Sequence, residues 1–142
     1  LRDFTSIDLR SHRILIALGS RCLSEAVAVT QESGADVFAR VLPTPMSLRN
    51  ALACHLPQDN LALLRPSKGK YFGDFELALC RKWAITGIVC RQSGGKMEKL
   101  WRQISIRNKL KLWIISRPNY PKEVEIIHNT QDILDRIDTE HF

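Results

Sequence analysis

The sequence predicts an α/β protein built on a three-layer, doubly wound, mainly parallel sheet of five strands. Five short apolar runs alternate along the chain with segments in which apolar residues recur at helical spacing. The apolar runs are continuous, which is typical of parallel strands that are buried on both faces. With 142 residues the chain is long enough for one domain with its own core.

Each predicted strand is a β-rich apolar run with a residue that ends it. The five runs are Arg13–Leu18, Asp36–Leu42, Asn60–Leu64, Thr86–Cys90 and Lys111–Ser116. Gly19 ends the first run, Pro43 the second and Pro66 the third. Two adjacent glycines follow the fourth run, and Pro118 follows the fifth.

The segments that follow the strands predict five helices. They are Leu23–Glu32, Pro45–His55, Gly73–Trp83, Met97–Asn108 and Thr130–Ile137. The second begins with a cap at Thr44 and a proline at its first position. The third places Phe75 and Trp83 on one apolar face, and the fourth places Trp101 on another, so these rings are predicted to lie in the core. Five β-α repeats favour a Rossmann-like or flavodoxin-like sheet.

The net charge of +6 is concentrated in the middle of the chain. Residues 65–117 carry thirteen Lys or Arg against three Asp or Glu, a balance of +10, whereas residues 1–64 are balanced. Ligands of open parallel sheets bind beyond the carboxyl ends of the strands. The predicted binding residues at that edge are Gly19, Ser20, Arg65, Lys68, Gly69, Arg91, Ser93, Gly94, Gly95 and Arg117. The sequence therefore predicts one anion-binding pocket.

The segment "RQSGGK", residues 91–96, lies between a predicted strand and a predicted helix. Glycines at such a turn allow a ligand to approach the backbone, and the helix N-terminus offers N–H groups to a phosphate or carboxylate. The segment is neither a dinucleotide fingerprint nor a Walker loop. A purely structural tight turn is the alternative reading.

Several classes of function are disfavoured. Cys22, Cys54, Cys80 and Cys90 are too far apart for a C-x-x-C pair, and the histidines are scattered, so we expect no metal site. Cys80 and Cys90 lie in apolar surroundings and are expected to be small buried residues in a reducing compartment. No apolar run approaches the roughly 20 residues that span a bilayer, so we expect a cytoplasmic protein without a membrane partner. The aromatic residues assigned to the core leave no stacking platform for nucleic acid.

Ordered motifs give the chain a specific resemblance. "IVCRQSGG" at residues 88–95, "MEKL" at 97–100 and "WIISRP" at 113–118 resemble the second half of precorrin-6A and cobalt-precorrin-6A reductases of cobalamin biosynthesis. Upstream, "LIALGS" at 15–20, "FARVLP" at 38–43 and "GKYFGDFE" at 69–76 match the same family in the same order. The resemblance covers roughly residues 13–137. Departures from the family pattern fall on the predicted site, where Arg91 and Gln92 replace its usual residues.

The resemblance implies an NADPH-dependent reduction of one double bond of the tetrapyrrole precorrin-6A, or of its cobalt form. It implies that residues 1–12 are a connector from a missing N-terminal Rossmann half and that residues 13–142 form the C-terminal domain. NADPH supplies the hydride in such an enzyme, and Tyr71 and Lys96 are the candidate proton donors. A non-catalytic or degenerate nucleotide- or anion-binding module is the alternative. The isolated chain is expected to be inactive.

Overall fold

The computed structural model describes residues 7–116 and Gln131, which contain five strands and four α-helices. The elements are β1 (Arg13–Ala17), α1 (Leu23–Glu32), β2 (Asp36–Val41), α2 (Pro45–Leu52), β3 (Leu61–Leu63), α3 (Asp74–Lys82), β4 (Gly87–Arg91), α4 (Lys96–Asn108) and β5 (Lys111–Ile115). Short 3₁₀ turns lie at Gln58–Asn60 and Gly69–Tyr71. The α/β class predicted from the sequence is confirmed.

All five strands are parallel and lie in the order β3-β2-β1-β4-β5. This is the order of the first five strands of a Rossmann sheet, and it differs from the flavodoxin order. The register aligns Leu15 of β1 with Phe38 of β2 and with Ile88 of β4. The winding direction reverses between β1 and β4, which are neighbours in the middle of the sheet.

The core lies on both faces of the sheet. Ile14 and Ile16 of β1 belong to one buried cluster with residues of α1 and α2, whereas Leu15 belongs to the other cluster with residues of α3 and α4. Trp83 and Trp101 are buried in the second cluster, as the sequence predicted. Successive side chains of a strand point to opposite faces of the sheet. One continuous apolar run therefore packs against the helices on both faces.

The helix boundaries differ from the predicted ones by a few residues. The helix predicted to end at His55 ends at Leu52, and His55 itself has a φ of 55°, which the interior of a right-handed helix does not allow. Gly73, predicted as the first residue of a helix, precedes α3 with a φ of 93°. The helix predicted at Thr130–Ile137 lies outside the described residues, apart from Gln131.

The prediction that Phe75 lies in the core is wrong. Phe75 is 52% exposed, and the buried face of α3 is formed instead by Glu76, Cys80 and the following Trp83. Hydrophobic spacing could not locate this face, because its most deeply buried member is the carboxylate of Glu76.

The described part of the segment predicted as a connector packs against the domain. Leu9 is 1% exposed and belongs to the buried cluster on the α1 and α2 face. Its N–H donates a hydrogen bond to the carbonyl of Ser33, at 2.9 Å. The folded unit therefore includes residues that precede β1.

Candidate functional site

The carboxyl ends of the five parallel strands meet at one edge of the sheet. Most of the predicted binding residues end or follow three of these strands, β1, β3 and β4, and they are Gly19, Ser20, Arg65, Lys68, Gly69, Arg91, Ser93, Gly94 and Gly95. Arg117, which the sequence also assigned to this edge, lies outside the described residues. The reversal of winding between β1 and β4 makes the crevice between their ends the place where open α/β sheets usually bind ligands.

Arg91, the last residue of β4, contacts the turn that follows β1. Its Nη2 lies 3.2 Å from the Sγ of Cys22, the residue that directly precedes α1. In the turn after β1, Gly19 has a φ of 80°, and a Cβ built there would meet no atom within 4 Å. The backbone conformation therefore favours glycine at position 19, and open space remains beside it.

Three hydroxyl groups connect the turns after β1 and β2. The hydroxyl of Ser47 donates to Ser20 Oγ at 3.4 Å, and the hydroxyl of Thr44 donates to Ser47 Oγ at 2.9 Å. Thr44 Oγ1 also accepts from the N–H of Ser47, so Thr44 caps α2 as the sequence predicted. Ser20 therefore lies at the edge of the sheet and is hydrogen-bonded to Ser47 of α2.

The turn that precedes α4 binds a carboxylate of its own chain. Glu98 Oε1 accepts from the N–H groups of Ser93, at 2.8 Å, and Gly94, at 3.2 Å, and Oε2 accepts from Arg102 Nε at 3.0 Å. The N–H of Gly95 donates to Ser93 Oγ at 3.2 Å. The backbone donors of Gly94 and Ser93, with the Arg102 side chain, hold the pKa of Glu98 below its ordinary value. The N–H groups predicted to bind a ligand's anion are therefore already engaged.

The two adjacent glycines of this turn have different roles. Gly94 has a φ of 68°, so its backbone lies in the left-handed region that favours glycine. Gly95 has a φ of −102°, and a Cβ built there would meet only Ser93 Oγ, at 3.6 Å. Local conformation therefore favours glycine at position 94 and does not do so at position 95.

A large cleft opens on the α3 and α4 face of the sheet edge. Its volume is about 970 Å³, and it lies between the segment 65–72 and the first two turns of α4. The residues that line it are Leu42, Arg65, Pro66, Ser67, Lys68, Gly69, Phe72, Lys96, Lys99, Leu100 and Gln103. Four residues predicted from the sequence, Arg65, Lys68, Gly69 and Lys96, thus meet in one cavity.

The lining of this cleft combines an apolar surface with positive charge. Leu42, Phe72 and Leu100 provide apolar contacts. Among the described residues of the lining, all the ionisable side chains are cations, with no Asp or Glu. Such a cavity suits a ligand with an apolar or aromatic body and anionic substituents.

Tyr71 lies outside the cleft. It is 58% exposed and lines a neighbouring pocket of about 470 Å³ together with Ser67, Lys68, Asp74 and Phe75. Of the two proton donors predicted from the sequence, Lys96 therefore faces the cleft and Tyr71 faces the smaller pocket.

Sequence reasoning missed several residues of the site. Lys99 and Gln103 follow Lys96 at helical spacing and line the cleft from the same helix. Their helical spacing from Lys96 is the sequence pattern that could have identified them as residues of the site. Glu98 also escaped notice, although a glutamate at the third position of a helix is a common capping residue.

Residues 7–116 show neither a metal-binding group nor a membrane-spanning helix. This range contains no group of three His, Cys, Asp or Glu side chains placed to hold a metal ion. It also contains no helix that is long and apolar enough to cross a membrane.

Comparisons with known proteins agree on one family. The sequence model described as precorrin-6x reductase CbiJ/CobK matches residues 1–138. The cobalt-precorrin-6A reductase of Synechocystis sp. (strain ATCC 27184 / PCC 6803 / Kazusa) is 36% identical over 95 residues, which are 67% of this chain and 34% of that protein. A solved structure described as CobK precorrin-6A reductase shares the fold, with a TM-score of 0.62 at 17% identity. The similarity covers 90% of this chain and 48% of the solved one, so the chain spans only part of the length of these relatives.

Proposed function

The chain belongs to the precorrin-6x reductase family CbiJ/CobK, and on that basis we propose that it forms the C-terminal domain of an NADPH-dependent reductase of cobalamin biosynthesis. The proposed substrate is the tetrapyrrole precorrin-6A or its cobalt form. A companion domain outside this chain is proposed to supply the other wall of the active site. The observation that carries this proposal is the cationic cleft at the carboxyl edge of the sheet.

The cleft fits the proposed ligands in size and charge. Its volume of about 970 Å³ is ample for a cofactor or a large part of a macrocycle. Arg65, Lys68, Lys96 and Lys99 can neutralise carboxylates of a tetrapyrrole or phosphates of a nucleotide. Leu42, Phe72 and Leu100 can contact the apolar faces of a ring and exclude water from it.

The proposed reaction adds a hydride and a proton across one carbon–carbon double bond. NADPH supplies the hydride when it is bound, so the protein needs no nucleophile. The residues of this chain orient the reactants and balance their negative charge. Lys96 is the proposed proton donor, because its ammonium group carries a transferable proton and it lines the cleft.

The observation at Glu98 favours a second candidate function. Since its carboxylate engages the N–H groups of Ser93 and Gly94, the turn that could receive a phosphate is closed by the chain itself. A non-catalytic anion-binding module would retain the cleft without needing this turn. The reductase would oxidise NADPH in the presence of substrate, whereas the non-catalytic module would not.

The test uses the full-length protein with precorrin-6A and NADPH, followed by loss of NADPH absorbance. Replacing Lys96→Gln should lower kcat and change its pH profile, whereas Lys68→Gln should mainly raise KM. Lys82→Gln, an exposed change on α3 that is not part of the cleft lining, is the control for net charge. Binding of NADPH without any oxidation would support the non-catalytic module instead.

A further inference from the structure

Two exposed aromatic side chains line one pocket beside the cleft. Tyr71 is 58% exposed and Phe75 is 52% exposed, and both border the cavity of about 470 Å³. Single exposed apolar side chains are common on protein surfaces, as Ile106 of α4 illustrates at 78%. Two large aromatic rings around a cavity of ligand size are a different arrangement, because binding pockets are typically lined in this way.

The fold holds the two rings on short, ordered elements. Tyr71 ends the 3₁₀ turn Gly69–Tyr71, and Phe75 lies in the first turn of α3. Gly73 separates them with a φ of 93°, and a Cβ there would lie 2.5 Å from a methyl carbon of Leu100. The close packing of this glycine on α4 therefore fixes where the chain turns between the two aromatic residues.

Two lysines lie close to this aromatic pair. Lys70 Nζ lies 5.1 Å from the centroid of the Tyr71 ring, over its face. Lys68 lines both the small pocket and the cleft, and Ser67 does so as well. A ligand could thus extend from the pocket into the cleft past the same lysine.

The remaining lining residue indicates the kind of ring that fits. Asp74 is the only carboxylate that lines the pocket in the described part of the chain, and a carboxylate accepts hydrogen bonds from amino groups or hydroxyls. Adenine presents an exocyclic amino group and two π faces, and its nucleotides carry phosphates for lysines to bind. Aromatic rings, a carboxylate acceptor and flanking cations together match an adenine nucleotide.

We propose that this pocket, bordered by Tyr71, Phe75 and Asp74, is a stacking site for the adenine of a phosphorylated nucleotide. The inference rests on the proposed function, in which the nucleotide is NADPH with its adenosine end in the pocket. Tyr71 then acts through its ring face and not as a proton donor. Lys68 is positioned to bind the phosphates that lead from the pocket towards the cleft.

The test measures binding of adenosine 2′,5′-bisphosphate and of pyrophosphate to the purified protein by calorimetry. Phe75→Ala and Tyr71→Ala should each lower the affinity for the adenosine probe about tenfold, which is typical for the loss of one base-stacking ring. Pyrophosphate lacks a base, so its affinity should not change. Tyr71→Phe should keep the affinity for the adenosine probe, because it keeps the ring. Ile106→Ala, an exposed apolar change on α4, is the matched control and should alter neither.

Three results would overturn the stacking site. They are unchanged affinity for the adenosine probe in both alanine variants, an equal loss for both probes, and a Tyr71→Phe variant as weak as Tyr71→Ala. Tighter, ring-dependent binding of single-stranded DNA than of the adenosine probe would also contradict a nucleotide ligand. If Phe75→Ala unfolds, Phe75→Leu at the same position is compared by thermal melting and by binding. Ring-dependent binding by the full-length protein without NADPH turnover would refute the proposed reduction and leave this site intact.

Discussion

Arg40 on β2 and Glu76 on α3 form an ion pair inside the protein, with 3.4 Å between Nη2 and Oε1. The Glu76 side chain is fully buried, and that of Arg40 is 10% exposed. Arg40 is aligned with Ala62 of β3, which packs against the second buried cluster. Burial lowers the pKa of the Arg40 guanidinium, and the charge of Glu76 opposes this effect. The ion pair connects α3 to the sheet, and α3 directly follows the segment 65–72 that lines the cleft.

Removing one partner of this pair should destabilise the protein strongly. Glu76→Leu leaves the Arg40 charge buried without compensation, and the expected loss is about 3–5 kcal/mol in the free energy of unfolding. Arg40→Met combined with Glu76→Leu should recover most of the lost free energy of unfolding, because an apolar pair needs no charge compensation. Urea unfolding of the two variants measures both values. An equal loss in the single and the double variant would show that packing, and not charge, determines the effect.

Glu98 should make the stability of the protein depend on pH in the acid range. Its pKa is lower in the folded protein than its ordinary value of 4.5, because Gly94, Ser93 and Arg102 donate to the carboxylate. Its contribution is therefore complete above the ordinary pKa and is lost as the pH falls through the lower, folded value. Thermal melting should show Glu98→Gln less stable than the natural protein at pH 7, with the difference shrinking below pH 4.5.

A second substitution identifies which donors cause this effect. The backbone N–H groups of Gly94 and Ser93 lower the pKa of Glu98 more than Arg102 does. Arg102→Gln should therefore keep most of the pH dependence. Loss of the whole pH dependence in Arg102→Gln would assign the effect to the ion pair on the helix surface.

The sequence sufficed for the fold because apolar runs, caps and turn residues are local signals. The five strands, four of the helices and the burial of Trp101 follow from them. The face of α3 was misplaced because a buried charge pair between distant residues leaves no apolar pattern. Glu98 was overlooked although its position in the helix is typical of a capping residue, and that position does not show which N–H groups the carboxylate binds. Arg65, Lys68 and Lys96 were identified because strand ends converge at one edge.

Gly94 and Gly95 should respond differently to substitution. Gly94→Val places a β-branched residue at a φ of 68°, so it should lower the melting temperature clearly. Gly95→Ala meets no close contact at a φ of −102°, so it should leave the melting temperature nearly unchanged. If a ligand approaches this backbone, NADPH affinity should nevertheless fall in Gly95→Ala. Calorimetric titration of NADPH decides, and unchanged affinity would make position 95 a structural turn residue only.

Trp101 should be a large contributor to stability. It is 2% exposed and packs with the second buried cluster. Trp101→Ala should therefore cost about 3–5 kcal/mol in the free energy of unfolding, as for other large core aromatic residues. Ile106→Ala, on the exposed side of the same helix, is the control and should cost far less. A similar cost for both would mean that α4 contributes through its helix propensity and not through packing.

The cations of the cleft should bind NADPH in a salt-sensitive way. Lys68 and Lys99 lie on opposite walls of the cleft, one after β3 and the other on α4, and both are exposed to solvent. An exposed charge contributes up to about 1 kcal/mol to an ion pair, so Lys68→Gln and Lys99→Gln should each lower NADPH affinity about two- to fivefold at low salt. The difference from the natural protein should nearly disappear in 1 M salt, where the screening length is about 3 Å. Lys82→Gln removes the same charge from outside the cleft lining and is the matched control. If Lys82→Gln weakens binding as much as the cleft variants do, net charge alone attracts NADPH, and the cleft loses its role as the binding site.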